Sequence, residues 1–164
     1  MESRAKVLGH PIHPMLIVLP LGLFIGAVVF DVIAAWRDAP SLGVVGFWNI
    51  GAGVVGGLLA AVFGLIDWLA IPAGTRAKRI GLLHGATNVV VVLAFATAWL
   101  ARRNAVELVP SGTILALEVV ALLIGSVGGW LGGELVDRLG VGVHDGAHLD
   151  APSSLSGRPA TTRR

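Results

Sequence analysis

Apolar residues in this chain fall into four long runs, at 15–36, 42–71, 82–100 and 112–131, and the segments between them hold most of the charges. A helix needs about 20 mostly apolar residues to cross the hydrocarbon of a bilayer, and each run reaches or nearly reaches that length. Membrane-spanning strands would instead alternate in polarity over segments of about 10 residues, and no such rhythm occurs. The pattern predicts an all-α, polytopic membrane protein: a four-transmembrane-helix bundle with helices over about 14–36, 44–71, 82–100 and 112–133, inside a membrane domain at 1–148. From residue 149 to 164 the composition turns to Pro, Ser, Gly, Thr and Arg, which predicts a disordered tail on the cytoplasmic side.

Composition agrees with the pattern. Of 164 residues, 55% are hydrophobic and only 13% charged, and the mean hydropathy is +0.83, more than any water-soluble core of this size requires. Arg4 and Lys6 precede the first run as they would in a secretion signal. That run, however, ends at Trp36-Arg37-Asp38 without a small-x-small cleavage site, and three more follow, so it is read as the first membrane helix. Arg4, Lys6, Arg76, Lys78, Arg79, Arg138, Arg158, Arg163 and Arg164 share one face in an up-down bundle, against Arg37, Arg102 and Arg103 on the other. The bias toward positive charge on the inner side then places both termini in the cytoplasm of a multi-pass cell-membrane protein. The sequence pI near 9.9 does not point to nucleic acid, because the basic residues lie in connections and in the tail. Cysteine is absent, which excludes disulfides, iron–sulfur clusters and thiolate metal sites within the chain.

Glycines are spaced for close helix contact at Gly22 and Gly26, at Gly53 and Gly57, and across Gly125, Gly128, Gly129, Gly132 and Gly133. Such faces exceed what four helices need among themselves and predict a homo-oligomer in the lipid bilayer. Asp31 lies 17 residues beyond Pro14, roughly 26 Å along the axis, and Glu118 lies about 9 Å inside the outer end of the fourth run. Both are read as solvated helix ends, Asp31 within reach of Arg37, with a proton or cation path as the alternative.

Histidines mark the inner rim. His10 and His13 begin the first helix, His84 the third, and His144 and His148 follow the fourth, while Asp67 ends the second. Imidazoles with a carboxylate suit Fe, Cu or Zn, for which His10, His13, Asp67, His84 and His144 are the candidate ligands. Two imidazoles on facing helices suit the axial positions of a b-type haem, with His13 and His84 preferred, His10 in reserve, and Asn88 or Asp67 available to fix a ring tautomer. No HExxH, phosphate loop or placed Ser–His–acid set is present, so the residues assign no hydrolytic reaction. The bland alternative is that these histidines only hydrogen-bond at the interface.

The motifs Gly9-His10-Pro11-Ile12-His13-Pro14-Met15, Gly64-Leu65-Ile66-Asp67-Trp68-Leu69-Ala70-Ile71-Pro72 with Gly74-Thr75-Arg76-Ala77, and His84 with Asn88 resemble the bacterial membrane domain of unknown function 2231. The resemblance covers roughly residues 6–148 and implies four membrane helices. Some members of that family are joined to Rieske-type iron–sulfur domains, which implies a redox setting in which a partner protein supplies the electrons. The expectation is therefore a membrane redox component binding a b-type haem or a histidine-ligated metal. A structural or partner-binding membrane protein and a small ion or proton transporter are the alternatives.

Overall fold

The structure of the protein, a computed structural model, describes residues 1–162. Helices α1 (Ile12–Leu16) and α2 (Val18–Arg37) form one crossing with a break at Ile17. Pro20 explains the break, since it has no N–H for the Leu16 carbonyl and its ring crowds that oxygen. Helix α3 (Pro40–Ala70) starts on a proline, which the first turn tolerates, and runs 31 residues, about 46 Å. Helix α4 (Arg76–Arg102) begins six residues before the 82 predicted from the apolar run. The Thr75 hydroxyl accepts from the Lys78 N–H at 3.1 Å, and this cap turns Arg76-Ala77-Lys78-Arg79 into the first helical turn. Helix α5 (Gly112–Gly133) is capped by Ser111 and ends in a wide π turn at Glu134–Arg138. All four crossings are long and apolar enough to span a membrane.

Before α1, strands β1 (Lys6–Val7) and β2 (His10–Pro11) form a small antiparallel hairpin, turned by Leu8 and Gly9 at positive φ. Residues 149–162 of the predicted tail continue past the bundle, with a 3₁₀ turn at Ser154–Ser156 whose Ser154 hydroxyl lies 3.3 Å from His10 Nε2. Arg163 and Arg164, counted among the inner charges, lie outside the described residues.

Helix α2 packs on α3 and α4 on α5, and contacts of α3 with α4 and of α2 with α5 close the ring. Across its centre α2 and α4 meet through their side chains. Phe24 and Phe95 stack there with ring centres 4.0 Å apart and planes 4° from parallel, surrounded by Ala27, Val28, Ile50, Val91 and Ala121. Three pairs meet in this way, each 71 residues apart: His13 with His84, Phe24 with Phe95, and Asp31 with Arg102. Within each helix these positions are separated by about three and about two turns, so they share one face. Ala27 and Ala98, at the same spacing, are both fully buried. The bundle is thus two helical hairpins, α1–α3 and α4–α5, related by an approximate two-fold axis along the bundle.

Glycines serve this packing selectively. A Cβ on Gly53 would lie 2.6 Å from the Phe24 ring, and one on Gly57 3.0 Å from Val92. Gly22, in contrast, has nothing within 4 Å, and Gly26 faces only the Asn49 amide and the Phe30 ring, so the first pair of glycines does not seat a neighbouring backbone. Gly53→Ala is expected to lower stability by about 1–3 kcal/mol in denaturant titrations in mixed micelles, while Gly22→Ala changes it by less than about 0.5 kcal/mol. Equal effects of the two substitutions would contradict this packing.

Candidate functional site

His13 and His84 face each other near the end of the bundle that bears the termini, with ring centres 6.2 Å apart and planes at 85°. Each ring is held by the same device. His13 Nδ1 donates to the Ala60 carbonyl of α3 at 2.8 Å, and His84 Nδ1 donates to the Gly128 carbonyl of α5 at 2.9 Å. A carbonyl inside a helix is already bonded to the N–H four residues on, and a small fourth residue gives an imidazole ring room to approach it. Here the fourth residues are Gly64 and Gly132, whose added Cβ atoms would lie 2.9 Å from His13 Cε1 and 3.2 Å from His84 Cε1. Ala60 and Gly64 map onto Gly128 and Gly132 by one common shift of 68 residues, so the second helices of the hairpins obey the two-fold relation as well.

This geometry fixes the chemistry of the rings. A carbonyl only accepts, so Nδ1 of each imidazole must hold a proton, and in the neutral ring Nε2 then holds the lone pair. No hydrogen bond to His13 Nε2 occurs among the described residues, and His84 Nε2 has only the Asn88 amide nitrogen at 3.4 Å. Both rings are half-buried. His84 lies deeper than the helix start predicted from sequence, because α4 starts early: it is eight residues into that helix, about 12 Å from its end.

The remaining predicted ligands go elsewhere. Asp67 accepts from the Ser3 hydroxyl at 2.8 Å through both oxygens and from the Arg4 N–H at 2.7 Å, which ties the N-terminal segment over the end of α3. His144 Nδ1 lies 3.2 Å from Glu2, whose carboxyl the bonded Lys6 ammonium holds below the usual range. His10 meets Ser154, and His148 Nδ1 accepts from the Asp150 N–H. Asn88 stays beside His84, donating to its backbone carbonyl at 2.8 Å, but the ring tautomers are set by Ala60 and Gly128 rather than by Asn88 or Asp67. Among the described residues no group of three or more His, Cys, Asp or Glu side chains is placed to hold a metal ion.

A second polar cluster lies at the far end of the bundle, and it corrects the reading of Asp31 and Glu118 as solvated. Both are 0% exposed, and between them lies Arg102 at 1%. Arg102 Nη1 and Nη2 donate to the two Asp31 oxygens at 2.6 and 2.8 Å, Nη1 also to Glu118 Oε1 at 3.0 Å, Nη2 to the Gly43 carbonyl at 2.9 Å, and Nε to the Leu108 carbonyl at 2.9 Å. All five guanidinium donors are therefore used. Leu108 delivers its carbonyl from a left-handed conformation, φ +58°, which costs a non-glycine residue on the order of 1–3 kcal/mol. Arg37, the partner predicted for Asp31, instead lies over the Trp36 ring. Glu118 Oε2 is buried without a partner among the described residues.

No curated protein and no solved structure matches the chain. A family model does match, over residues 9–145, a range that takes in both hairpins, both histidines of the facing pair and the buried arginine cluster. The chain belongs to the family described as predicted membrane protein (DUF2231).

Proposed function

We propose that the protein is a membrane redox component that binds a b-type haem between His13 and His84. The supporting observation is the pair itself: two imidazoles from opposite helices, each with Nδ1 locked to a backbone carbonyl and Nε2 left as a lone-pair donor. Histidines that ligate a metal are oriented in this way. A non-haem Fe, Cu or Zn centre asks for three or four side chains, whereas haem brings four nitrogens and asks for two. The bundle supplies two. The ring centres of His13 and His84 are 6.2 Å apart, close enough that the two imidazoles would hold one iron between them. Gly85, open on its Cβ side one residue beyond His84, leaves room for a flat group next to that ring. Haem held there would supply one-electron chemistry, with a partner protein as the electron source in a chain without cysteine. Gly129 and Gly133 face open space, which favours a second copy of the chain against α5.

Protein purified from haem-replete cells is expected to show a Soret band that moves on reduction. His13→Ala and His84→Ala are each expected to lose more than nine-tenths of that band while circular dichroism and elution volume stay unchanged. A colourless wild-type protein with stoichiometric Fe, Cu or Zn would replace haem by a bare ion. Absence of both, or a band indifferent to both substitutions, would overturn the site and leave a structural role.

Orientation belongs to the same proposal, with both termini in the cytoplasm. Burial of Arg102 removes it from the far surface, so only Arg37 and Arg103 remain there against Arg4, Lys6, Arg76, Lys78, Arg79, Arg138 and Arg158 at the terminal end. A membrane-impermeant thiol reagent on intact cells is expected to label a cysteine at Ser41 and to miss one at Ala73. The reverse pattern would invert the protein.

A further inference from the structure

The buried cluster at the far end holds one carboxyl more than it needs. Arg102 and Asp31 are equivalent positions in the two hairpins and form a neutral, two-point ion pair on the axis. Glu118 has no acidic counterpart: the shift of 68 residues that maps Ala60 onto Gly128 maps Ile50 onto Glu118, and Ile50 is fully buried and apolar. Glu118 is therefore surplus to the repeat and to the charge balance alike. With both acids ionised, two negative charges would share one guanidinium where no water reaches, and a net charge inside a bilayer is strongly disfavoured. One proton removes it.

The hydrogen bonds say where that proton sits. Both Asp31 oxygens accept from the guanidinium, the arrangement of an ionised carboxylate. Glu118 accepts through Oε1 alone, and Oε2 is buried with no partner. Nothing else titratable bonds to the cluster among the described residues, since α3 offers the Gly43 carbonyl and the connection before α5 offers the Leu108 carbonyl. We propose that Glu118 is a proton-binding site that holds a proton on Oε2 at rest and exchanges it with water at the far face, while Arg102 and Asp31 stay ionised. Glu118 lies in the second turn of α5, and the connection before it, with Glu107 and Leu108 at φ +53° and +58°, bonds to Arg102 through the Leu108 carbonyl.

Infrared spectroscopy of the full chain in lipid vesicles at pH 7 tests this independently of any haem. The expected result is the carbonyl stretch of one protonated carboxyl per chain, shifted when glutamate carboxyls are labelled with carbon-13, unshifted when aspartate is labelled, and moved again by transfer to heavy water. Glu118→Gln is expected to abolish it. If that variant does not fold, the isotope labels on the wild-type chain still decide the assignment. No band at pH 7, a band that follows the aspartate label, a band that survives Glu118→Gln, or a band untouched by heavy water would each overturn the proposal.

Discussion

A guanidinium buried inside four membrane helices is the most demanding group in this protein. Arg102 is at the end of an apolar helix, where an arginine can extend to water at little cost, yet it turns inward and every one of its N–H groups is matched. That choice dictates its surroundings. Gly46 must be glycine, because a Cβ there would collide with the Asp31 carboxylate. The first turns of α3 must bring the Gly43 carbonyl to Nη2, and the connection between α4 and α5 must adopt a costly left-handed turn to present the Leu108 carbonyl. One side chain therefore fixes all four crossings and their most irregular connection relative to one another.

With the far end fixed, the rest of the axis follows by repetition. The stacked Phe24 and Phe95 rings fill the centre, and the same relation brings His13 and His84 together at the terminal end. A two-fold arrangement suits a ligand that presents two like faces, and here each imidazole is held by the same means, a helix carbonyl exposed by a glycine one turn on. The two ends of the axis differ in their saturation. All five guanidinium donors of Arg102 are used, which anchors that end, whereas the histidine pair retains nitrogen lone pairs for something else.

The four crossings were legible because lipid imposes length and apolarity on each helix by itself. Ser111 as a cap and the meeting of His13 with His84 were legible from local chemistry and alternating direction. Arg102 was not, because Arg102-Arg103 after an apolar run reads as an ordinary interfacial stop, and only the pairing with Asp31 shows that one of the two turns inward. The early start of α4 was hidden for a related reason: a basic stretch looks like a loop until Thr75 is recognised as its cap. The repeat left one trace, the common spacing of 71 residues between His13 and His84, Phe24 and Phe95, and Asp31 and Arg102. Matching positions of opposite charge conceal it from any comparison that scores similarity. Asp67 carried no sign of its partner, since Ser3 and Arg4 lie in an otherwise featureless leader.

If the arginine anchor organises the bundle, Asp31 and Arg102 must depend on each other. A double-mutant cycle of Asp31→Leu and Arg102→Met, followed by reversible unfolding in mixed micelles, measures that dependence directly. Arg102→Met strands the Asp31 carboxylate, and Asp31→Leu strands guanidinium N–H groups that Glu118 Oε1 alone does not match; each change is expected to cost about 3–5 kcal/mol. The double change is expected to cost at least about 2 kcal/mol less than the sum of the two. Strict additivity, or single losses below about 0.5 kcal/mol, would contradict the anchor.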